Sequence, residues 1–228
     1  MIIRRTPEEK ATLPPLENGD HLDRKTFHER YEAMPEGTRA ELIGGIVYMS
    51  SPLRRPHGKM HLRVGHWLTE YEDATLGTEA FDNATNILDE ESEPQPDLCL
   101  LIASAALGQT RNEDEYIVGA PELIVEIASS TESIDLHAKR DDYEKAGVRE
   151  YVVVALRQSH VFWFISRNGR FEELPPGTDG ILRSEVFPGL WLDPAALLRL
   201  DAAGIRKVLQ RGLATPEHAA FVARLAQP

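Results

Sequence analysis

The chain has 228 residues, enough for one domain with a substantial hydrophobic core and further segments at its ends. Its formal net charge of −12 argues against broad, non-specific nucleic-acid binding, because such binding needs a basic surface. The single cysteine, Cys99, excludes an internal disulfide and a multi-cysteine metal site, and its apolar neighbours indicate a core position. No stretch has the length of a membrane span and no signal-peptide pattern is seen, so we expect a cytoplasmic protein without membrane contact.

The N-terminal part contains an irregular arm, a short helix and a hairpin. Residues 1–22 include several prolines and acids, and we expect a loose arm that could contact a second copy in a homo-oligomer. Residues 23–34 have the pattern of a helix capped by Asp23. Residues 39–50 contain two short β-type runs joined by Gly44-Gly45, a favoured two-residue turn, and therefore predict a β-hairpin.

A second helix is predicted within residues 52–72, where four apolar residues recur at helical spacing: Met60, Val64, Trp67 and Tyr71. No acidic residue occurs between positions 51 and 69, whereas four basic residues do: Arg54, Arg55, Lys59 and Arg63. Two interpretations of these basic residues are equally open. They form either a surface where a polyanion binds or an ordinary solvated face of the helix.

Two histidines of this helix, His57 and His61, stand four residues apart, a spacing that can bind a metal ion. No third ligand of a recognised zinc pattern lies nearby in the sequence, so we do not expect a zinc site. His57 could still line a pocket.

The following segment alternates between apolar and polar stretches. Residues 76–88 predict one strand. Pro96 and Asp97 precede a fully apolar strand at residues 98–102, whose composition is typical of a strand buried on both faces. Residues 103–118 are expected to form a polar connection that is partly helical.

Residues 119–154 have the pattern strand, turn, helix, turn, strand. The first strand is an apolar run interrupted by Glu126, and a carboxylate buried in this way must be paired, hydrogen-bonded or bound to a metal. Serines and threonines between positions 129 and 133 are candidate N-caps, and Gly147 suits the end of the helix. The right-handed crossover rule predicts that the two strands are parallel neighbours in one sheet.

The last part of the chain is predicted to complete the domain and to end in helices. Residues 160–174 predict another hairpin, and Asp193 caps a short helix that follows. We therefore place one α/β domain at residues 23–200 and a helical tail at residues 201–228.

Three polar residues of these segments could form one site: Asp97, Glu126 and Lys139. Two carboxylates on neighbouring strands can hold magnesium, with manganese as an alternative, and leave positions for water and substrate. A nearby lysine can stabilise developing negative charge or assist the attacking water. Each residue alone has a simpler structural explanation, with Asp97 as a turn cap and Lys139 as a surface lysine. Because Glu126 stands within an apolar strand, a shared site of the three residues is a better explanation than coincidence.

Four pieces of the sequence resemble the Uma family of endonucleases: RAELIGGIVYMSSP, PQPDLCLLI, GAPELIVEIASSTESIDLHAKRDDYEKAGVREYVVV and FPGLWLD. That family belongs to the PD-(D/E)XK restriction-endonuclease-like superfamily. The resemblance covers residues 23–200 in the same order. It implies an α/β fold with a restriction-endonuclease-like mixed β-sheet core flanked by helices, and an active site at one end of the sheet.

The resemblance also implies roles for individual residues. Asp97 fits the aspartate of the PD element and Glu126 the (D/E) position, and both would bind the metal. In the parent motif a lysine stands two residues after the glutamate, but this chain has Ala128 there. Lys139 fits the lysine that the family moves onto the next helix.

Two further family positions match, Glu41 and His57. The glutamate could form a hydrogen bond or help to ligate the metal, and the histidine could orient water or phosphate. The chain departs from the family at Ser129-Ser130-Thr131, where members commonly have Ser-Pro-Ser. This departure affects a loop rather than the implied metal ligands.

These features together predict a magnesium-dependent endonuclease that hydrolyses phosphodiester bonds in DNA, with four basic residues contacting the substrate: Arg54, Arg55, Lys59 and Arg63. Two alternatives stay open. One is a non-catalytic regulatory or protein-interaction module that retains the nuclease fold, which the acidic charge favours. The other is an enzyme that cleaves RNA or a small nucleotide. The complete Asp-Glu-Lys set favours an enzyme.

Overall fold

A computed structural model describes residues 13–50, 52–104 and 107–227. In chain order its α-helices are α1 (Arg24–Tyr31), α2 (Arg55–Ala74), α3 (Lys139–Ala146), α4 (Pro194–Leu198), α5 (Ala202–Leu213) and α6 (Pro216–Leu225). Its strands are β1 (Ala40–Ile43), β2 (Ile46–Met49), β3 (Thr78–Asp82), β4 (Asn86–Ile87), β5 (Leu98–Ile102), β6 (Arg111–Glu113), β7 (Tyr116–Val118), β8 (Leu123–Glu126), β9 (Glu150–Ala155), β10 (His160–Arg167), β11 (Arg170–Glu173), β12 (Leu182–Arg183) and β13 (Trp191–Leu192). A turn of π-helix, Ile134–Ala138, leads directly into α3.

Six of the strands form the central sheet, in the spatial order β11-β10-β9-β8-β5-β3. β8 and β9 run parallel, and the other neighbours in this sheet run antiparallel. The sheet is therefore mixed, and helices lie on both of its faces. The fold-class prediction and the predicted parallel pairing of β8 with β9 are both confirmed.

Alternating side chains of the central strands enter two separate cores. Leu123 and Val125 pack on one face of the sheet with the apolar stripe of α2, whereas Ile124 packs on the other face near α3. All four residues of that predicted stripe are buried: Met60, Val64, Trp67 and Tyr71. Cys99 is buried in the second core, as its apolar neighbours indicated. Burial on both faces explains why β5, β8 and β9 are almost continuously apolar.

The connection between β8 and β9 is helical, as predicted, and it ends at Gly147 with a φ of +88°. Its first part is a π turn, in which the N–H of Lys139 donates to the carbonyl of Ile134. A π turn adds one residue to the helical turn, so the buried face changes along the helix. Lys139 and Tyr143 are buried, whereas Leu136, predicted to share their face, is only half-buried.

The N-terminal helix and hairpin form as predicted. α1 begins after Asp23, whose carboxylate accepts a hydrogen bond from the Thr26 N–H at 2.9 Å. Gly44 and Gly45 join β1 to β2 with φ values of +55° and +77°, a conformation that favours glycine at both positions. This hairpin lies beside the central sheet and carries Glu41 on β1.

The described part of the N-terminal arm, residues 13–22, is packed rather than loose. Leu16 is buried, and the Gly19 N–H donates to the Val47 carbonyl at 2.8 Å. The Leu22 N–H donates to the Gly45 carbonyl at 2.9 Å. These bonds hold the segment against the hairpin. Residues 1–12 lie outside the described part of the chain.

Two predictions for residues 76–118 are wrong. Residues 76–88 form two strands, β3 and β4, instead of one. The connection at 103–118 contains the hairpin β6–β7 and, in its described residues, no helix. The hairpin turns at Asp114 and Glu115, which have positive φ and offer no glycine signal in the sequence. Pairing of β7 with β4 stabilises these short strands, and such tertiary pairing is not visible in a local pattern.

The C-terminal helices complete the core on the α2 face. Asp193, Asp201 and Thr215 cap α4, α5 and α6 through their side chains. Ile205 of α5 and Phe221 of α6 belong to the core that contains the α2 stripe. The helical segment expected at residues 201–228 therefore packs on the rest of the protein. Within the described ranges, no helix has both the length and the apolar character needed to cross a membrane.

Candidate active site

Antiparallel pairing of β5 with β8 brings Asp97 and Glu126 together. Leu98 pairs with Val125, so Asp97, one residue before β5, lies opposite Glu126, the last residue of β8. Directly opposed residues of an antiparallel pair point to the same face of the sheet. The Asp97 N–H lies 3.4 Å from Glu126 Oε2, and the Ile127 N–H donates to Asp97 Oδ2 at 2.7 Å.

Lys139 reaches these carboxylates from α3. Its Nζ lies 2.9 Å from Glu126 Oε1 and 2.8 Å from Glu41 Oε2, so it bridges the central sheet and the β1–β2 hairpin. The Tyr143 hydroxyl, one turn further along α3, donates to Glu126 Oε1 at 2.9 Å. Lys139 is only 5 % exposed, which excludes the interpretation as a surface lysine. The predicted convergence of Asp97, Glu126 and Lys139 is thus present in the structure.

Burial and neighbouring charges govern protonation in this cluster. Burial raises the pKa of Glu126 well above its usual range, and the nearby carboxyl groups act in the same direction. Burial alone would lower the pKa of Lys139, but the charges of Glu126 and Glu41 outweigh it and raise that pKa well above normal. Burial also acts to raise the pKa of Asp97, but the contact with His57 prevails and lowers it. Lys139 is therefore a permanent cation among carboxyl groups.

His57 contacts the cluster from the first turn of α2. Its Nε2 lies 3.2 Å from Asp97 Oδ2, while its Nδ1 is buried and has no hydrogen-bond partner among the described residues. His61 turns elsewhere, with its Nε2 2.9 Å from the Asp97 carbonyl and 3.2 Å from Asp82 Oδ1. The Nε2 atoms of the two histidines therefore contact different groups, the Asp97 carboxylate for His57 and the Asp97 carbonyl and Asp82 for His61.

A cavity of about 380 Å³ opens over these residues. All five residues that the sequence put forward as catalytic line it: Glu41, His57, Asp97, Glu126 and Lys139. Arg39, Arg54 and Asn83 stand among its other lining residues. Of the four predicted substrate-binding residues, only Arg54 lines the cavity; Arg55 and Lys59 are exposed further along α2. Arg63 is half-buried, with a buried Nε that has no partner in the described part of the chain.

Comparison with known proteins identifies the family to which this chain belongs. The family model Uma2, described as "Putative restriction endonuclease", matches residues 26–195. The chain belongs to the Uma2 family. A search of curated proteins found no match.

The Uma2 assignment agrees with the fold of a solved structure. A protein from Anabaena variabilis ATCC 29413, described as "a putative nuclease belonging to DUF820", superposes with a TM-score of 0.60 and 15 % sequence identity. The alignment covers 75 % of this chain and 96 % of that protein. At this identity the likeness establishes a shared fold. Together with the Uma2 match it agrees with the fold class predicted from the sequence.

The sequence analysis missed one acidic residue of the cavity. Asp135 lies in the π turn, lines the cavity and is 3 % exposed. The Thr131 hydroxyl donates to its Oδ2 at 2.6 Å. Burial raises the pKa of Asp135 to about 6, and the charge of Lys139 and the Thr131 hydrogen bond oppose that rise. Its position four residues before Lys139 was the available signal, since residues at that spacing are neighbours on a helix.

The chemistry of the cavity fits a hard divalent cation. Four carboxyl groups line it: Glu41, Asp97, Glu126 and Asp135. Both hydrogen bonds to the Asp97 side chain among the described residues end on Oδ2, which leaves Oδ1 available to a metal ion. The described residues contain no group of three or more His, Cys, Asp or Glu arranged to hold a metal. Two carboxylates are nevertheless an ordinary protein contribution to a magnesium site, because water and substrate phosphates supply the other ligands.

Proposed function

We propose that this protein is a metal-dependent endonuclease that hydrolyses phosphodiester bonds in DNA. The observation that carries the proposal is the buried lysine that joins Glu126 to Glu41 beside Asp97, in a single cavity. Membership of a family described as "Putative restriction endonuclease" supports a nuclease among the possible hydrolases. The fold alone would not support a nuclease over other functions, because one fold serves many functions.

Asp97 and Glu126 would hold the metal, which we propose to be Mg²⁺, with Mn²⁺ as an alternative. Their carboxylate oxygens suit a hard cation. Burial, with a smaller contribution from neighbouring carboxyl groups, raises the pKa of Glu126, and added positive charge there would favour the ionised form. When bound, the metal supplies positive charge that offsets the charge of the phosphate.

Lys139 acts in this proposal as a fixed positive charge. Glu126 and Glu41 keep it protonated, so it cannot take a proton from water. It can stabilise the negative charge that develops on the phosphoryl oxygens, which is the role of preorganised cations in phosphoryl transfer. Glu41 positions the lysine from the hairpin, and the Gln95 N–H at 2.8 Å in turn positions Glu41. His57 holds Asp97 in place through its Nε2.

The basic residues of α2 support a polyanionic substrate. Arg54, Arg55, Lys59 and Arg63 pair with no acid among the described residues. Arg54 and Arg55 stand at the N-terminus of α2, where the helix dipole already favours anions and disfavours cations. Two arginines at that position cost helix stability but suit phosphate binding. In this proposal DNA would contact an otherwise acidic protein along α2, the helix that begins at the cavity.

A second candidate function is a regulatory or protein-interaction module that retains the nuclease fold. The net charge of −12 favours it, because polynucleotides are repelled by most of such a surface. RNA or another phosphodiester is a further substrate that the same cavity chemistry would serve. A cytoplasmic location and a homo-oligomer also remain proposals from the sequence.

The deciding experiment is calorimetric titration with Mg²⁺ and Mn²⁺, followed by cleavage assays on DNA and RNA. The wild type should bind one of these metals and cleave DNA, and Asp97→Asn should lose both properties. Asp201→Asn is the matched control, because asparagine caps a helix as well as aspartate, and Asp201 caps α5 and does not line the cavity. Metal binding without any cleavage would favour the regulatory module. Cleavage that persists in Asp97→Asn would refute the proposed site.

A further inference from the structure

The proposed reaction lacks a group that takes the proton from the attacking water. Lys139 is already protonated. His57 cannot serve either, since its Nε2 contacts Asp97 and its Nδ1 has no accessible surface. Glu126 Oε1 accepts hydrogen bonds from both Lys139 and Tyr143.

Resting on the proposed nuclease function, we propose that Asp135 is a further catalytic residue, the base that accepts this proton. Its side chain lines the same cavity as Asp97, Glu126 and Lys139. The Thr131 hydroxyl occupies only Oδ2, which leaves Oδ1 without a hydrogen bond among the described residues. A candidate base must be able to reach the attacking water and must have an oxygen free to accept its proton. Asp135 lines the cavity in which that water would lie and has such an oxygen in Oδ1.

The proton transfer balances as follows. The water oxygen forms a bond to phosphorus while one O–H bond of that water breaks and its proton passes to Asp135. The bond between phosphorus and the leaving alcohol oxygen breaks, and that oxygen takes a proton from solvent water. Asp135 then returns its proton to solvent, so the products are a phosphate monoester and an alcohol.

The surroundings of Asp135 suit this role near neutral pH. Titratable groups face it from several elements: Glu41 on β1, Asp97 before β5, Glu126 on β8 and Lys139 on the adjoining helix. The neutral Tyr151 hydroxyl on β9 donates to the Asp135 carbonyl. Burial raises its pKa to about 6. A base with a pKa close to the working pH combines a useful ionised fraction with a useful proton affinity.

Asp142 provides a matched control on the same helical segment. It is also a buried aspartate, and burial raises its pKa to about 6 as well. It accepts a hydrogen bond from Ser92 and does not line the cavity. A purely structural effect of removing a buried charge should therefore be similar for the two residues, whereas a catalytic effect should be specific to Asp135.

The test is the pH profile of kcat/KM for DNA cleavage, recorded for wild type, Asp135→Asn and Asp142→Asn. In the wild type, activity should rise with pH as Asp135 ionises, at or below the pKa of about 6 of the metal-free protein, because the charge of the bound metal favours the ionised form. Asp135→Asn should lose this acid limb and about 10²- to 10⁴-fold in rate, the usual range for general-base catalysis. Asp142→Asn should keep the wild-type limb.

Thr131→Val tests the same idea with the carboxylate in place. The Thr131 hydrogen bond lowers the pKa of Asp135, so its loss should move the acid limb to higher pH while the maximal rate is largely kept. The ¹³C titration of the Asp135 carboxyl in the metal-free protein should shift in the same direction. This variant decides the matter if Asp135→Asn does not fold.

The outcomes separate the inference from the proposed function. If the wild type cleaves DNA and Thr131→Val and Asp135→Asn both keep the wild-type acid limb, the base is another group and only this inference falls. If the wild type cleaves no nucleic acid with either metal, the proposed function fails and the inference fails with it. If Asp135→Asn loses the acid limb, Asp142→Asn keeps it and Thr131→Val shifts it to higher pH, the proposed function and the role of Asp135 are both supported.

Discussion

The two ends of the parallel strands β8 and β9 bury carboxylates to the same degree but give them different partners. At the end opposite the cavity, Glu122 accepts from the backbone N–H groups of Ile102 and Gln109 at 2.9 and 2.7 Å. Glu150, at the same end, accepts from the Ser184 hydroxyl and from two backbone N–H groups. At the cavity end, Glu126 meets the side chains of Lys139 and Tyr143.

The comparison teaches that burial of a carboxylate does not by itself indicate a catalytic site. Burial raises the pKa of all three glutamates, Glu122, Glu126 and Glu150. Backbone amides satisfy the first and the last, and these bonds fix neighbouring loops. Glu126 differs because a cation, further carboxyl groups and a cavity surround it. The partners of the carboxylate and its access to a cavity, rather than its depth of burial, distinguish the functional end of the strands from the structural end.

The largest expected effect comes from removing the buried cation. Lys139→Met should reduce DNA cleavage by at least about a hundredfold, or roughly 3 kcal/mol, because the charge that stabilises the transition state is lost. The variant should also be less stable by about 3–5 kcal/mol, since Glu41 and Glu126 lose a buried partner. Rates must therefore be compared per folded molecule, with thermal unfolding as the check.

Lys145→Met is the control on the same helix. Lys145 is an exposed residue that pairs with Asp89 and Glu91 at the surface, where ion pairs contribute little. Its replacement should leave both cleavage and stability nearly unchanged. Full metal-dependent cleavage by folded Lys139→Met would remove the lysine from the mechanism and erase the functional difference between the two ends.

The sequence predicted those parts of the protein that local patterns encode. Alternation, glycine turns and helix caps predicted the hairpin at Gly44-Gly45, the α2 stripe and the crossover. Resemblance to the family supplied Glu41 and His57, whose side chains meet Lys139 and Asp97 in the cavity. The roles of these residues remain proposals.

The sequence could not predict contacts that depend on distant segments. Glu150 stands in an apolar strand just as Glu126 does, and only the fold brings Ser184 to it. The hairpin β6–β7 turns at residues without glycine and depends on β4 for pairing. The spacing of Asp135 to Lys139 was a weak signal, because a π turn that the sequence does not reveal sets which side chains of that segment face the cavity.

A second prediction concerns pH and the structural end of the sheet. Burial raises the pKa of Glu150 to about 7, above the ordinary value of 4.5. The folded protein therefore binds more protons than the unfolded chain between these values, and stability falls as pH rises through about 7. Glu150→Gln cannot ionise, so its unfolding free energy should fall less between pH 5 and pH 8, by up to about 3 kcal/mol.

Urea unfolding at the two pH values measures this difference. Glu126→Gln provides the comparison at the cavity end, where we expect loss of DNA cleavage, whereas Glu150→Gln should cleave like the wild type. A Glu150→Gln protein with wild-type stability and metal affinity but no cleavage would contradict the division into a structural and a functional end.

The smallest expected effect extends the comparison to the surface. At the Glu150 end, Arg167 and Arg170 form ion pairs with Glu185 and Glu144 at 2.6 and 2.8 Å, whereas Arg54 at the cavity end pairs with no acid in the described residues. In a Lys139→Met background, so that bound DNA stays intact, Arg54→Gln should weaken binding several-fold. It should also reduce the slope of log affinity against log salt by about 0.9, because one fewer counterion is released.

Lys207→Gln is the control for this experiment, since Lys207 is an exposed lysine on α5 that has no acidic partner among the described residues and does not line the cavity. Its replacement removes the same net charge and should leave the salt slope unchanged. Equal losses of affinity in the two variants would mean that overall charge, rather than a phosphate contact at the cavity, governs binding. DNA would then approach without preference for the first turn of α2, and the exposed arginine there would be an ordinary solvated residue.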